Sequence, residues 1–522
     1  MENVNVKRIH ILFGIIILLF GLLGYRLYDI QINGIEEYQH TSVSQATVGL
    51  GGIGFRGTIY DRNGQALTNA EKSYIFLIEK TKIDENCKRL LADISAAHIT
   101  IDNRRYSAYQ GGIYDEEIVL TLKDQYDAFM FVSNNRYAEG QSAVHLIGYL
   151  NRMDNSGAFG LERSFDDLLK SDESLTLMVD ASRKILPGYG VQRVGEPAKG
   201  TLTLTLDFNI QKKVEEAFEK SGLKGSVVVL DATTGDFLAG ASYPTYDPSN
   251  VAEVIESGND ELINRIYQTS YPPGSVFKII VAACALEEKI ADLHTEFHCE
   301  GFSDVNGIII KCSKEEGHGD ITLEEAFAQS CNCAFIELGQ ELGSYKILAM
   351  AKKFGVGEKV LNILQEESEG ILPNLSETAG AGIGNLSIGQ GKLEMTCLQV
   401  AKMTQIVAAA GKSTGIRLIT DPQLEEEELQ KDPVISLITA LKLKRMMSLV
   451  VEEGTARRIT ISAAGKTGSA QSSDGGKKVV HGWFTGFFPE NNPKYVVTVL
   501  VESGRGASQS VTIFNEIAES LK

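Results

Sequence analysis

The chain has 522 residues, of which 43% are hydrophobic and 23% charged, so it is long enough for two or more folded domains with sizeable cores. This composition excludes long disordered stretches. The formal net charge of -18 argues against nucleic acid as a partner, because phosphate binding needs clustered Lys and Arg.

An apolar run close to the N-terminus predicts a membrane anchor. Residues 9–28 carry one charged side chain, Arg26, which can extend to the membrane surface, and twenty residues is near the minimum for a spanning helix. Lys7 and Arg8 precede the run, so residues 1–8 are expected in the cytoplasm and the rest outside. A cleaved signal peptide is the alternative, but no small-residue cleavage site follows the run. We therefore expect a single-pass protein of the cell membrane.

A mixed region at 29–200 follows the anchor and contains no recognisable catalytic pattern. Short runs in it, such as SYIFLIE at 73–79 and EEIVLTL at 116–122, resemble strands. Gly200 then marks a boundary, and 201–522 is expected to form a further domain.

The elements of this further domain predict its fold class. It begins with a strand-like run, TLTLTLD, and an amphipathic helix at 208–222 with Asp207 as its N-cap. One hairpin follows, GSVVVLD and DFLAGASY around Gly235, and a second lies near the chain end, VVHGWFTGFF and KYVVTVLVES around 490–493. QSVTIFNEIAESLK closes the chain as a helix. Because strands lie at both ends and helices between, we predict an α+β fold with one antiparallel sheet, flanking helices and a helical lobe.

The first pattern with chemical content is Ser275-Val-Phe-Lys278. Pro272-Pro-Gly274 cannot lie inside a helix, so they deliver Ser275 to the first turn of the helix that follows. Lys278 then shares a face with Ser275 and can act as its base if the lysine pKa falls from about 10.4 towards 7. An isolated match is more often a capping serine with an exposed lysine, and the same spacing recurs at Ser221 and Lys224.

The second pattern is Ser330-Cys-Asn332. It follows a capping box from Thr322 to Glu325, which predicts a short helix that ends at about Gln329. A loop at this point can aim side chains into a cleft, although Ser and Asn also simply terminate helices. The position of the pattern after the nucleophile favours the catalytic interpretation.

The third pattern is Lys466-Thr467-Gly468-Ser469, in a small-residue strand that is expected beside a cleft. Lys466 and the hydroxyls of Thr467 and Ser469 can hold a substrate carboxylate, so Thr467, Gly468 and Ser469 are the expected substrate-binding residues. A backbone N–H here, with that of Ser275, would form an oxyanion hole. Alone, the pattern would indicate an edge strand with a surface lysine. In this order, the three patterns indicate a serine acyl-transfer enzyme.

Seven cysteines leave at least one free thiol. Cys299 and Cys312 bracket EGFSDVNGIIIK, which can form a hairpin that carries a disulfide. With His298 and His318 nearby, zinc binding is an alternative, but the spacing fits no standard finger, and a disulfide or a reduced pair is favoured. We expect no metal and no cofactor. Cys284 lies in an apolar helix and is expected in the core.

Together these patterns resemble a class B penicillin-binding protein, a monofunctional peptidoglycan D,D-transpeptidase. Further stretches carry the resemblance from the anchor to near the C-terminus: RGTIYDRNG (56–64), HLIGY (145–149), GLE (160–162), YPPGS (271–275), SIGQG (387–391), EGT (453–455) and WF (483–484). The resemblance implies the serine transpeptidase fold at 201–522 on a pedestal or dimerisation-type domain at 29–200.

The resemblance also implies a role for each catalytic residue. Ser275 would attack the carbonyl between the two terminal D-alanines of a peptidoglycan stem peptide, and an amine of a neighbouring strand would resolve the acyl-enzyme. Lys278 would be the base, and Ser330 and Lys466 would pass the proton to the leaving amine. Asn332 would bind the substrate amide. β-Lactams would acylate the same serine.

Three other functions stay open from the sequence. Glu358-Lys-Val-Leu-Asn362 has the spacing of the deacylating motif of class A β-lactamases, but it lies in a stretch that resembles an ordinary transpeptidase segment, so coincidence is favoured. A β-lactam sensor would be expected to carry a cytoplasmic signalling region, and an inactive wall-synthesis scaffold would be expected to lose a catalytic residue. The expected partners are stem peptides, β-lactams, the membrane and a separate glycosyltransferase, since no glycosyltransferase motif occurs in the first 200 residues.

Overall fold

The computed structural model of the protein describes residues 2–33, 47–50, 55–101, 103–151, 154–420, 433–474 and 476–522. Parts of the region predicted at 29–200 lie outside the described residues, and so does Met1 of the predicted cytoplasmic N-terminus.

The helices and strands of the described residues are numbered in chain order. The α-helices are α1 (Glu2–Tyr28), α2 (Glu85–Asp93), α3 (Glu116–Tyr126), α4 (Val144–Ile147), α5 (Gly160–Ser164), α6 (Asp166–Leu169), α7 (Phe208–Ser221), α8 (Val251–Ser257), α9 (Lys278–Glu287), α10 (Leu323–Ala328), α11 (Asn332–Leu342), α12 (Ser344–Lys353), α13 (Gly382–Ser387), α14 (Cys397–Ala408), α15 (Leu437–Glu452) and α16 (Ala507–Ser520). The strands are β1 (Thr47–Leu50), β2 (Ile59–Tyr60), β3 (Glu71–Glu79), β4 (Ala97–Ile99), β5 (Tyr106–Gly111), β6 (Phe129–Asn135), β7 (Ser174–Met178), β8 (Val191–Val194), β9 (Leu202–Thr203), β10 (Gly225–Asp231), β11 (Phe237–Tyr243), β12 (Glu296–Cys299), β13 (Phe302–Val305), β14 (Ile308–Lys311), β15 (Gly319–Thr322), β16 (Ala464–Asp474), β17 (Lys477–Phe488) and β18 (Tyr495–Val501).

Helix α1 contains the predicted anchor. It continues into a π-helical turn, Asp29–Asn33, and the stretch Lys7–Ile32 has a mean hydropathy of 2.1 over its apolar window, which is not buried. It is the one helix in the described part of the chain that is long and apolar enough to cross a membrane. The span predicted at 9–28 lies within it, and its orientation stays a prediction.

The described chain forms two compact units, and neither is one continuous stretch. The smaller unit consists of Met1–Arg56, Glu71–Asn135 and Ser171–Ala198, and the larger unit consists of Gly57–Ala70, Arg136–Lys170 and Lys199–Lys522. The region predicted at 29–200 therefore contributes two segments to the larger unit, which nothing in the sequence indicated. That this region acts as a pedestal stays a prediction.

The smaller unit contains two sheets, ordered β1-β7-β8 and β4-β5-β3-β6. SYIFLIE forms most of β3, as predicted, but the prediction of a strand at EEIVLTL was wrong, because this run is in helix α3. Asp115 caps α3 by accepting a hydrogen bond from the Ile118 N–H, and Val119, Leu122 and Tyr126 are buried at helical spacing. A short apolar run fits both the helical and the strand period, and the cap decides between them.

The larger unit contains a five-stranded antiparallel sheet, ordered β11-β10-β18-β17-β16. Strands β10 and β11 form the first predicted hairpin, with Gly235 at φ 75° in its turn, and β17 and β18 form the second. The two hairpins join through β10 and β18, whose register pairs Gly225 with Val501. The predicted α+β fold with one antiparallel sheet is confirmed, and β16 is one of the two edge strands of this sheet.

Helices cover this sheet. Helix α14 packs against β10, β17 and β18, whereas α16 packs against β17 and β18 and α7 against β11. Asp207 caps α7 as predicted, since its carboxylate accepts from the N–H groups of Asn209 and Ile210. The strand predicted at TLTLTLD is shorter than expected, because only β9 forms, parallel to β2.

Candidate active site

The turn that carries Ser275 joins a proline pair to a buried helix. Gly274–Phe277 form a single 3-10 turn that runs directly into α9. Gly274 has φ 56°, a conformation that favours glycine, and its N–H donates to the Gly389 carbonyl at 2.8 Å. Ser275 is half-buried, so part of its side chain remains accessible to a substrate.

Lys278 is fully buried at the first position of α9. Its Nζ donates to the Ser330 carbonyl at 2.9 Å, to Asn332 Oδ1 at 2.9 Å and to the Cys331 carbonyl at 3.3 Å. Burial lowers the pKa of Lys278 to about 8, although the charges of nearby cysteines oppose this shift. A lysine with this pKa is partly neutral near physiological pH, and the neutral form can accept a proton.

Ser330 lies in the link between two helices. The predicted capping box of Thr322 and Glu325 is present at the start of α10, which ends at Ala328, and α11 begins at Asn332. Ser330 has φ 57°, a left-handed conformation that costs about 1–2 kcal/mol for a residue with a side chain. Strain of this kind persists only where the surrounding contacts enforce it, and it is concentrated at functional sites.

Lys466 reaches Ser330 from the edge strand β16. Its side chain is fully buried, and its Nζ donates to Ser330 Oγ at 3.0 Å and to the Thr467 carbonyl at 3.2 Å. Burial, together with the positive charge of Lys278, holds the pKa of Lys466 well below its usual value. The surface lysine that an isolated Lys-Thr-Gly would indicate is therefore excluded.

Two buried lysines thus meet at one hydroxyl. Ser330 Oγ lies 3.0 Å from Lys466 Nζ and 3.4 Å from Lys278 Nζ. Two positive charges in one buried site repel each other, which favours release of a proton from one of them. Because a hydroxyl can accept one hydrogen bond while donating another, Ser330 can connect the two lysines as a proton relay.

Glycine at 468 lets β16 lie directly against the turn of Ser275. A β-carbon on Gly468 would be 3.0 Å from the Pro273 carbonyl oxygen. Trp483 on β17 pairs with Gly468 on β16, and the indole N–H of Trp483 donates to the Pro272 carbonyl at 3.0 Å. These contacts hold the turn of Ser275 against the strand that carries the third pattern.

The hydroxyls next to Gly468 have partners inside the protein. Thr467 Oγ1 lies 2.5 Å from Thr455 Oγ1, and Ser469 Oγ accepts from the Ala507 N–H at 3.2 Å. Thr455 was noticed in the sequence only as part of a family stretch, so its contact with the third pattern was missed. The binding of a substrate carboxylate by Thr467 and Ser469 stays a prediction.

Both polar atoms of the Asn332 side-chain amide form hydrogen bonds within the protein. Its Oδ1 accepts from Lys278, and its Nδ2 donates to the Lys311 carbonyl at 3.0 Å. Asn332 therefore positions Lys278, a contact that the sequence did not reveal. Because an amide nitrogen carries two hydrogens, Nδ2 has a second donor, and binding of the substrate amide stays a prediction.

A network of charged side chains near the nucleophile was not foreseen. Tyr271 donates its hydroxyl to Glu502, which forms ion pairs with buried Arg265 at 3.1 Å and with Lys224 at 3.0 Å. Arg265 and Tyr271 lie in one segment, but Lys224 and Glu502 are distant from it in the sequence, so no local spacing predicts the network. Lys224 belongs to the second Ser-x-x-Lys match, in which Ser221 donates to the backbone at the end of α7.

The Glu358 to Asn362 match also has a structural explanation. Glu358 is exposed, and its backbone carbonyl accepts from Gln399 at 2.9 Å. The buried carboxylate of Glu367 holds the loop by accepting from the N–H groups of Val360 and Asn362, among others. The segment is thus packed as a structural loop, which favours coincidence over a deacylating motif.

Comparison with known proteins agrees with this geometry. A family model described as the penicillin-binding protein transpeptidase domain matches residues 225–519. The chain belongs to this family. It is therefore a penicillin-binding protein, and its transpeptidase domain is of the serine type expected from the three patterns.

Relatives of this penicillin-binding protein are similar along nearly the whole chain. Stage V sporulation protein D of Bacillus subtilis is 29% identical over 98% of this chain and 84% of its own length. The peptidoglycan D,D-transpeptidase MrdA of Haemophilus influenzae is 27% identical over 98% of this chain and 90% of its own length. A solved structure of penicillin-binding protein 3 from Mycobacterium tuberculosis, complexed with aztreonam, is 26% identical, with a TM-score of 0.65, and the match covers 90% of this chain and 95% of that one.

Proposed function

We propose that this penicillin-binding protein is a peptidoglycan D,D-transpeptidase that acts in cell-wall synthesis and cell shape. The observation that carries the proposal is the pair of buried lysines, Lys278 and Lys466, on the hydroxyl of Ser330. A serine nucleophile needs a base that takes its proton and an acid that protonates the leaving amine. Lys278 immediately follows the turn of Ser275 and is assigned as the base, and Lys466, linked to Lys278 through the Ser330 hydroxyl, completes the path of the proton to the leaving amine.

The reaction follows from this arrangement. Ser275 Oγ attacks the carbonyl carbon between the two terminal D-alanines of a stem peptide, and its proton passes to Lys278. The C–N bond then breaks, and Ser330 and Lys466 relay this proton from Lys278 to the nitrogen of the leaving D-alanine. An amine of a neighbouring strand attacks the acyl carbon, the ester bond to Ser275 breaks, and the proton of the amine passes through the same lysines to Ser275 Oγ. The new amide bond is the cross-link. Thr467 and its neighbours on β16 hold the terminal carboxylate.

β-Lactams are expected to acylate the same serine. The relative from Mycobacterium tuberculosis is complexed with aztreonam, whose reactive group is a strained cyclic amide. When a serine opens such a ring, the leaving nitrogen stays attached to the acyl group, so it continues to obstruct the amine acceptor. The adduct of this protein is therefore expected to be long-lived.

The anchor at 9–28 supports a location of the catalytic unit outside the cytoplasm, where peptidoglycan is made, because Lys7 and Arg8 precede the apolar run. We further propose that a separate glycosyltransferase supplies the glycan strands. No acidic glycosyltransferase motif occurs in the first 200 residues.

The test uses a fluorescent penicillin, with Ser221→Ala as the matched control for Ser275→Ala. Wild type and Ser221→Ala are expected to form a persistent adduct and to cross-link lipid-linked stem peptides, whereas Ser275→Ala does neither. Rapid release of hydrolysed drug would indicate a β-lactamase instead. An adduct without cross-linking would indicate a sensor or an inactive scaffold, and an adduct that survives Ser275→Ala contradicts the acyl-enzyme itself.

A further inference from the structure

The segment that precedes Ser275 is tied to the central sheet by the side chain of Tyr271. Tyr271 is buried, and its hydroxyl donates to the carboxylate of Glu502, which lies directly after β18. Its ring packs edge-on against Trp483, whose indole N–H donates to the Pro272 carbonyl. We propose that Tyr271 and Glu502 are positioning residues for acylation, because their hydrogen bond braces the two backbone segments that form the oxyanion hole. This inference rests on the proposed function.

The turn of Ser275 and strand β16 are in direct contact where the oxyanion hole is expected. A β-carbon on Gly274 would lie 2.9 Å from the carbonyl oxygen of Ser469, and one on Gly468 would lie 3.0 Å from that of Pro273. The N–H of Ser275 and an N–H of β16 therefore belong to two segments that pack backbone against backbone. An oxyanion hole needs both donors at about 2.7–3.1 Å from one oxygen atom, so a shift of either segment weakens it.

Glu502 is the first residue of the loop 502–506, which contacts β16 at Ser469. The Ala507 N–H, directly after this loop, donates to Ser469 Oγ at 3.2 Å, and a β-carbon on Gly506 would be 3.0 Å from the same oxygen atom. Gly506 has φ 87°, so glycine suits both its backbone conformation and this contact. The loop thus links the carboxylate of its first residue to the strand that is expected to bind the substrate.

Two cations hold the Glu502 carboxylate in place. Its Oε1 lies 3.1 Å from Arg265 Nε, and its Oε2 lies 3.0 Å from Lys224 Nζ. Asp260 forms ion pairs with the same two cations and so fixes their positions. Burial alone would raise the pKa of Glu502, but the hydrogen bond from Tyr271 and the charge of Arg265 outweigh burial and lower this pKa. The carboxylate is therefore ionised at neutral pH, and it accepts the tyrosine hydrogen bond.

Neither Tyr271 nor Glu502 is needed to carry a proton in the reaction. The tyrosine hydroxyl donates to Glu502 and accepts from Thr269 Oγ1 at 3.0 Å. Burial raises the pKa of Tyr271 well above its usual value, and the charge of Glu502 adds to this shift. The two buried lysines and Ser330 already provide the proton path. Substitution of Tyr271 or Glu502 therefore changes the position of the backbone donors and leaves the proton path in place.

Tyr271→Phe removes the hydroxyl and keeps the ring, so it tests the hydrogen bond alone. A displaced oxyanion hole slows formation of the acyl-enzyme and leaves the first, noncovalent complex almost unchanged. We expect the acylation rate constant at saturating penicillin to fall about tenfold, while the dissociation constant of the noncovalent complex changes less than about twofold. A boronic acid, whose boron binds the serine oxygen and becomes a tetrahedral anion, should lose affinity by a similar factor, because this adduct resembles the transition state.

Three further variants separate this hydrogen bond from general damage to the fold. Tyr243→Phe is the matched control, since Tyr243 is half-buried in β11, at the opposite edge of the sheet from β16, and its hydroxyl donates to the Glu215 carbonyl at 3.1 Å. It should leave the acylation rate constant and the dissociation constant unchanged. Glu502→Ala should slow acylation at least as much as Tyr271→Phe. Glu502→Gln, whose amide oxygen can still accept from the tyrosine, should be faster than Glu502→Ala.

The final amount of adduct distinguishes a positioning role from misfolding. The full chain of each variant, purified in detergent, is incubated with fluorescent penicillin until the reaction is complete. Because unfolded molecules form no adduct, a positioning role predicts a slower reaction in Tyr271→Phe that reaches the same final amount as wild type. An unchanged rate, or a smaller amount formed at the wild-type rate, overturns this inference alone. If wild type forms no Ser275-dependent adduct, the proposed function fails and the inference fails with it.

Discussion

At the scale of single residues, the site depends on the hydroxyl of Ser330. It is the one atom that contacts both buried lysines among the described residues, and it is held there by a left-handed backbone that a serine adopts only at a cost. Ser330 therefore has both the hydroxyl that connects the lysines and the strained backbone conformation. This allows the two contributions to be separated by substitution.

We predict that Ser330→Ala slows acylation by penicillin about 10²–10⁴-fold, because the relay between the lysines is lost. Ser330→Gly is the matched control. It also lacks the hydroxyl, so it should be equally slow, but it relieves the positive φ and should be about 1 kcal/mol more stable than Ser330→Ala. Adduct formation over time measures the first effect and urea denaturation the second. Wild-type acylation by Ser330→Gly would exclude the relay.

The candidate catalytic residues could be named from the sequence, but the contacts that hold them could not. Ser275, Lys278, Ser330 and Lys466 stand in short patterns whose order is informative. The contacts of Asn332 with Lys278, of Thr455 with Thr467 and of Tyr271 with Glu502 join segments that are distant in the sequence, and no local spacing encodes such pairs. That Cys331 would face other cysteines was likewise visible only in three dimensions.

At the scale of elements, close backbone packing places the turn that carries Ser275. The turn of Ser275 touches β16 on one side and the loop after α13 on the other, and glycines occupy both contacts. A β-carbon on Gly389 would lie 2.1 Å from the Gly274 carbonyl oxygen, whereas the nearest atom to one on Gly391 is 3.5 Å away. Both glycines have positive φ, at 71° and 85°. The two glycines are therefore a matched pair of substitution sites, because only a β-carbon on Gly389 would clash with a neighbouring atom.

We predict that Gly391→Ala loses about 1–2 kcal/mol of stability from its backbone conformation alone, and that Gly389→Ala loses clearly more. Gly389→Ala should also slow acylation, since its carbonyl binds the Gly274 N–H beside the nucleophile. Denaturation is followed by the fluorescence of Trp483, the only tryptophan in the chain. Equal losses in the two variants would contradict the packing argument.

Elements marked by a recognised cap or a turn glycine were predicted correctly, whereas the alternating run TLTLTLD and an ambiguous apolar run were not. Asp207 and the box of Thr322 and Glu325 marked α7 and α10, and Gly235 marked a hairpin turn. The run in α3 was mistaken for a strand, because its Asp115 cap was overlooked. Residue propensity alone does not distinguish helix from strand for a seven-residue apolar run that packs against a core.

At the scale of the whole molecule, the larger unit is assembled from three parts of the chain. One of the early segments contributes His145, which is buried in α4. Its Nε2 lies 2.6 Å from the Glu261 carbonyl, and its ring packs edge-on against Tyr246. Burial lowers the pKa of His145 to about 4; the hydrogen bond to Glu261 opposes this shift, and the charge of Arg265 adds to it.

We predict that stability falls as pH falls from about 6.5 to about 4. In this window the unfolded chain binds a proton at His145, with a pKa of about 6.5, and the folded chain does not, so acid favours unfolding by up to about 3 kcal/mol. Above this window the residue adds no pH dependence. The free energy of unfolding of His145→Asn, measured by urea denaturation, should change less steeply with pH across this range. That of His294→Asn, at an exposed position, should follow wild type. The same slope in wild type and His145→Asn would refute the assignment.

Strand β18 is the last strand to be synthesised, yet it lies in the middle of the five-stranded sheet. Until β18 leaves the ribosome, the edge of β10 that pairs with β18 is open, although almost all of the larger unit has already been made. Open strand edges pair readily with other chains, and sheets closed by distant segments form slowly. The nascent chain is therefore prone to pair with other chains until β18 forms, and a chain truncated before Tyr495 would yield an aggregation-prone product rather than a smaller enzyme.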